Sequence, residues 1–139
     1  MSLTLSSNEN TTDVGPAASP DMNVMSDPET IFKAFGDMTR LRILGVLQDN
    51  ELCVCEIEAS LSLSQPNASR SLAILKTAGI IESRKQAQWT YYKISDLFRE
   101  QYPELDKAVQ KICADLPSAV EDMERYKNFR EKVLCTKEM

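Results

Sequence analysis

From Pro28 onward the apolar residues Ile31, Phe32 and Phe35 recur at helical spacing, and Gly36-Asp37 breaks the run, so a short first helix is predicted. Thr39 then precedes Leu41, Ile43, Leu44, Val46 and Leu47, which occupy nearly the whole helical wheel. A helix that is apolar all round belongs at the centre of a fold. The next helix is predicted from about Cys53 to Leu61, and Leu63-Ser64-Gln65-Pro66 opens another. Ser64 can cap that helix, Pro66 is tolerated in its first turn because the missing N–H would have no helical partner, and Gly79 supplies the stop. On it, Ala68, Leu72 and Leu75 line one face, while Asn67, Ser69, Arg70 and Ala73 lie toward the other.

Ile80 to Lys85 and Trp89 to Ser95 are rich in β-branched and aromatic residues and are separated by Gln86-Ala87-Gln88, a pattern that predicts a β-hairpin. With no glycine in the connection, the turn type is open. Arg84 and Lys85 stand near its tip, where they could reach phosphates or a minor groove, and Trp89 with the tyrosines is assigned to packing. After Pro103, Leu105, Val109, Ile112 and Leu116 repeat every third or fourth position, and Pro117 ends that helix. A last, more charged helix from about Ser118 carries Met123, Tyr126, Phe129 and Val133. So short a domain has little core left for such stripes to cover. They are expected to form a dimer surface together with the first helix, and packing within one chain is the competing expectation. Residues 1–26, polar and without periodicity, are expected to be a disordered tail ahead of one domain spanning 27–135.

Charge changes the picture more than length does. The net charge is −5, which at first argues against a nucleic-acid partner, yet residues 61–95 hold Arg70, Lys76, Arg84, Lys85 and Lys93 against Glu82 alone. A basic island inside an acidic chain is the footprint of a local phosphate-binding face; on charge alone, a solvated surface fits equally well. The outer face of the capped helix adds chemistry to that island, since arginine can bond guanine bidentately and asparagine or glutamine can bond adenine.

Histidine is absent. A Cys-His or Ser-His nucleophile pair cannot be assembled, nor can an imidazole-containing zinc site, so hydrolase readings lose their basis. No apolar run approaches the ~18 residues of a membrane span, and the N-terminus lacks a basic segment followed by an apolar one, so a cytoplasmic protein is expected. In that reducing compartment the four cysteines are expected to be free thiols or ligands.

Residues 51–57 read ELCVCEI. A thiolate pair is a soft ligand set, suited to As(III), Sb(III), Cd(II), Pb(II), Cu(I) or Zn(II) and poorly suited to Mg(II) or Ca(II). In an ideal helix, positions i and i+2 point about 200° apart. Cys53 and Cys55 would therefore have to distort the first turn in order to grip one ion. The alternative is that both are small buried apolar residues, as free cysteine often is; their place beside Glu51 and Glu56 is not a core pattern.

The stretch FKAFGDMTRLRILGVLQDNELCVCEIEASLSLSQPNASRSLAILKTAGIIESRKQAQWTYYKIS, residues 32–95, strongly resembles the ArsR/SmtB family of metal-responsive repressors. The resemblance rests on D-x-T-R-L-R-I-L, E-L-C-V-C-E, L-S-Q-P-x-x-S-R and G-I-I-E-S-R…W-x-Y-Y in that order. It implies a mainly α, dimeric winged helix-turn-helix repressor that needs no cofactor to bind double-stranded operator DNA and leaves it when an inducer ion binds. By the same resemblance Cys53 and Cys55 hold the ion, and Gln65, Asn67, Ser69 and Arg70 read DNA beside Ser64, with Arg84 and Lys85 on the wing. Two departures matter. Where some arsenic sensors have a third cysteine this chain has Glu58, so a third sulfur would come from Cys113, Cys135, a partner chain or a small thiol. The usual histidine after S-R is Ser71, which leaves operator preference open. As(III) or Sb(III) is the expected inducer, with Cd(II)/Pb(II) sensing and a metal-free thiol redox switch as alternatives. A dithiol oxidoreductase is disfavoured because Cys-x-x-Cys and a βαβ pattern are both missing.

Overall fold

The helices open on side chains that close their first turns. Ahead of α1 (Pro28–Phe35), Asp27 accepts the Thr30 N–H at 3.0 Å, and Gly36 follows the last residue. Asp37 accepts the Arg40 N–H ahead of α2 (Met38–Val46). In both cases the carboxylate satisfies a donor that the helix itself leaves unpaired. The computed structural model describes residues 25–137, with side chains through residue 132.

After α2 come β1 (Leu52–Cys53), α3 (Val54–Leu61) and α4 (Gln65–Thr77), then β2 (Ile81–Gln86), β3 (Trp89–Ile94), α5 (Asp96–Gln101), α6 (Pro103–Ala114) and α7 (Ala119–Lys137). α3 and α4 form the helix-turn-helix. Ser62 ends α3 in the left-handed conformation (φ 55°), and Ser64 caps α4 by accepting the Asn67 N–H at 3.3 Å. Gly79 (φ 83°) lets the chain leave α4, and a side chain there would also meet Met25 at 3.3 Å. As predicted, α2 lies at the centre, with Ile43, Leu44, Val46 and Leu47 wholly buried. Leu52, Ile57, Leu61, Leu72, Leu75 and Phe98 close around it, each burial contributing roughly 1.5–3 kcal/mol before entropy is counted.

The wing is a three-stranded antiparallel sheet of order β1-β3-β2, where the sequence predicts only a hairpin. Its turn is two residues, Ala87-Gln88, and Ala87 takes φ 57°. β1 is too short to carry a periodic signal, and its partner β3 lies far along the chain. α5 is likewise absent from the sequence-based expectation. Ser95 caps it, and Phe98 packs at 6.0 Å from Phe35 and 6.2 Å from Tyr102.

The C-terminal helices use much of their apolar stripe at home. On α6, Val109 is buried and Leu105 packs against the core, because the face turned to α2 is the row Asp106, Val109 and Cys113. Ile112 points out and is 50% exposed. On α7, Met123 and Tyr126 pack against the same core, and Val133 lies outside the described side chains. The remaining exposed large apolar residues on these elements and α1 are Phe32, Ile112 and Val120. Of the expected tail, residues 1–24 lie outside the described residues, whereas the Ser26 hydroxyl donates to the Thr77 carbonyl at 2.7 Å. Among the described residues no helix is long and apolar enough to cross a membrane.

Candidate thiol site and nucleic-acid interface

Cys53 does not lie in α3 but at its cap, with extended backbone (φ −84°, ψ 168°). This overturns the helical-wheel argument. Because only Cys55 is helical, the two sulfurs fall on the same side, and Sγ sits 2.8 Å from Sγ with no distortion of the first turn. Two sulfurs bonded to one ion at roughly 2.3 Å each can be no more than about 4.6 Å apart, so the pair is already within chelating distance. Cys53 is 3% exposed and Cys55 half-buried. Burial, then the hydrogen bond with Cys55, pushes the Cys53 thiol up to about 12. At neutral pH that residue is a protonated thiol.

Glu56, one residue past the pair, is a buried carboxylate, so the segment that does not read as a core pattern is largely buried. Its Oε1 accepts the Cys53 N–H at 2.9 Å, which caps α3, and its Oε2 pairs with Arg130 Nη1 of α7 at 2.9 Å. The same helix is held at its other end by Asp122. That carboxylate binds Arg42 of α2 at 2.9 Å and Arg125 at 2.6 Å, while Arg125 also donates to the Ser60 carbonyl at 2.8 Å. α3 is thus clamped by α7 at both ends. Such a clamp spans residues 74 apart in sequence, so nothing local announces it.

The two candidate third sulfurs fare differently. The Cys113 thiol donates to the Leu41 carbonyl at 3.2 Å and lines a cavity of about 210 Å³ between α2, α6 and α7, and burial pushes it up to about 11. It faces α2 and is not brought to the Cys53–Cys55 pair. Cys135 lies on α7 beyond the described side chains. Among the described residues no group of three or more Cys, Asp or Glu could hold a metal.

The α4 face is built in the expected orientation. Ala68, Ser71, Leu72 and Leu75 are buried, while Gln65, Ser69, Arg70 and Ala73 are exposed and Asn67 half-exposed. Gln65 Nε2 donates to Ser69 Oγ at 2.7 Å, an i,i+4 bond that pre-orients both groups. Arg70 carries no ion pair among the described residues.

On the wing the two basic residues part company. Lys85, opposite Thr90 and next to the turn, is exposed. Arg84 is not at the tip but mid-strand, opposite Tyr91, and its guanidinium is engaged. Nε and Nη2 bind both oxygens of Glu51 at 2.7 and 2.9 Å, Nη1 binds Gln86 at 2.7 Å, and the group lies 5.0 Å over the Tyr91 ring. Lys93, too, pairs with Asp96 and Glu82. Part of the basic island is therefore neutralised from within the chain.

Comparison with known proteins places this architecture. The model for the "Bacterial regulatory protein, arsR family" matches residues 37–83, from the cap of α2 into β2. An HTH-type transcriptional regulator of Methanocaldococcus jannaschii is 52% identical over 67 residues, which are 48% of this chain and 75% of that protein. The arsenic resistance transcriptional regulator ArsR1 of Pseudomonas putida is 45% identical over 74 residues, 52% of this chain and 58% of the relative, so the match spans little more than half of that regulator. The solution structure of the homodimeric winged helix-turn-helix DNA-binding domain Mb0332 from Mycobacterium bovis superposes with a TM-score of 0.54. It is 29% identical and covers 63% of this chain and 80% of that one.

Proposed function

The chain belongs to the arsR family of bacterial regulatory proteins, and we propose that it is a homodimeric transcriptional repressor released from double-stranded operator DNA by As(III) or Sb(III) held between Cys53 and Cys55. The observation that carries this reading is the 2.8 Å approach of the two sulfurs at the cap of α3, the helix that leads directly into α4. A soft cation fits that donor pair, and hard ions do not. α4 supplies Gln65, Asn67, Ser69 and Arg70 to a major groove after the Ser64 cap, while Lys85 supplies the wing's phosphate contact. Two copies joined through exposed apolar positions such as Phe32 and Ile112 would present two such helices one helical turn of DNA apart.

The switch follows from linkage. An ion changes DNA affinity only through its unequal affinity for the DNA-bound and free states. Holding both sulfurs fixes the junction of β1 and α3, from which α4 hangs, so occupancy and DNA docking compete for one geometry. A third sulfur comes from Cys135, a second chain or a small thiol; Cys113 is a packing residue. Each As–S bond forms as the thiol proton leaves with a hydroxide of arsenous acid as water, so the protonated Cys53 thiol can bind with no net release of a proton. The same protonated thiol is a poor target for oxidants, which weakens the metal-free redox alternative.

The test is fluorescence anisotropy of a labelled duplex that the protein has selected from random sequence. It is titrated with arsenite, antimonite, cadmium, lead and peroxide in turn. Arsenite should weaken binding by the parent 5- to 150-fold, the range of a ~1–3 kcal/mol coupling. Cys53→Ser and Cys55→Ser should bind DNA normally and fail to release. Release of either serine variant by arsenite would place the inducer site elsewhere, and release by peroxide alone would favour the redox switch.

A further inference from the structure

Arg84 carries a charge on the proposed DNA-facing wing, yet its nitrogens Nε, Nη1 and Nη2 all have partners inside the chain. The bidentate carboxylate is Glu51, which lies two residues ahead of Cys53 and just outside β1. Register aligns the parts: Cys53 pairs with Tyr91 across β1 and β3, and Tyr91 pairs with Arg84 across β3 and β2. Residues opposite one another in adjacent strands present their side chains on one face. The thiol, the aromatic ring and the guanidinium therefore form one row, with Glu51, two residues before Cys53, closing it over Arg84. The pair is reachable by solvent, with Arg84 50% and Glu51 32% exposed, so a competing anion can approach it.

Resting on the DNA-binding reading above, we propose that Glu51 masks Arg84 and keeps it off the DNA backbone, so that the wing gains its second phosphate contact only when this carboxylate is removed. A carboxylate and a phosphate oxygen present the same bidentate acceptor to the guanidinium fork, and only one can occupy it. The mask sits on the strand that carries Cys53, so the sensor segment and the wing's phosphate contact share one piece of backbone.

The measurement uses the full chain and a random-sequence duplex, since phosphate contacts do not depend on sequence, with affinity followed against salt. Glu51→Gln should bind more tightly at low salt, with a log–log slope steeper by about 0.9, the contribution of one added phosphate contact. Glu51→Asp keeps the charge but shortens the reach and should shift the same way. In an Arg84→Gln background neither substitution should have any effect. Thermal melting of each variant confirms that it is folded. The proposal is overturned if the Glu51→Gln gain persists without Arg84, for it would then reflect net charge alone, or if the slope is unchanged. A parent that binds no duplex at all overturns the DNA-binding reading together with the mask, whereas normal parent binding with an unchanged slope overturns the mask alone.

Discussion

The segment Glu51–Glu56 and the outer face of α4 are close neighbours in the chain and are built in opposite ways. In the first, the Glu51 carboxylate holds Arg84, Glu56 holds Arg130 and the Cys53 N–H, and the two thiols hold each other. On α4, Arg70, Ser69 and Gln65 stand in solvent, with one bond along the helix between Gln65 and Ser69. The contrast teaches what each task needs. Polar groups offered to a partner stand in solvent, where they are held only by neighbours that a ligand can replace. A switch is the reverse, for occupancy of one group can be felt elsewhere only where every group already has a neighbour to disturb.

That difference can be broken by substitution. Glu56→Ala should cost about 2–3 kcal/mol in urea unfolding. This is less than the ~3–5 kcal/mol of a fully buried pair because Arg130 is 40% exposed. A loss below ~0.5 kcal/mol would mean that the sensor segment is not clamped at all. Arg70→Ala should leave stability within ~0.5 kcal/mol and weaken binding to the selected duplex by about 1–3 kcal/mol. Equal losses on selected and random DNA would move Arg70 from a base to a phosphate. Lys85→Ala sharpens the comparison further, because it should weaken all DNA alike and lower the salt slope by about 0.9. Smallest of all, Ala87→Gly should raise stability by at most about 1 kcal/mol, since relief of the roughly 1–2 kcal/mol left-handed penalty at φ 57° outweighs the ~0.4–1 kcal/mol of entropy that glycine adds to the unfolded chain.

Elements with a strong local signal were legible in the sequence. Pro28, Gly36, Ser64 and Gly79 mark where helices begin and end, and the apolar wheel of α2 locates the centre of the core. The orientation of α4 followed from its period, whereas the candidate DNA-reading residues came from the family resemblance. What stayed hidden depends on distance along the chain. β1 exists because it pairs with β3, and Glu56 is buried because Arg130 reaches it from α7. Arg84 seemed free because its counter-charge lies 33 residues earlier. One local clue was available. Glu56 stands three residues after Cys53, the spacing at which a carboxylate reaches back to the N–H of a capping residue, and that spacing is the one that fits Cys53 at the cap rather than inside the helix.

β1 is held in the sheet by only two residue pairs and lies at its edge. Of the three strands it gives up the fewest ladder bonds on opening, and the free energy of local unfolding scales with the bonds and contacts given up. Its amides should exchange with deuterium well before those of β2 and β3. A buried thiol on such an edge is shielded at equilibrium yet reachable within the lifetime of the folded chain, through the fraying of one short strand rather than through the opening of the core.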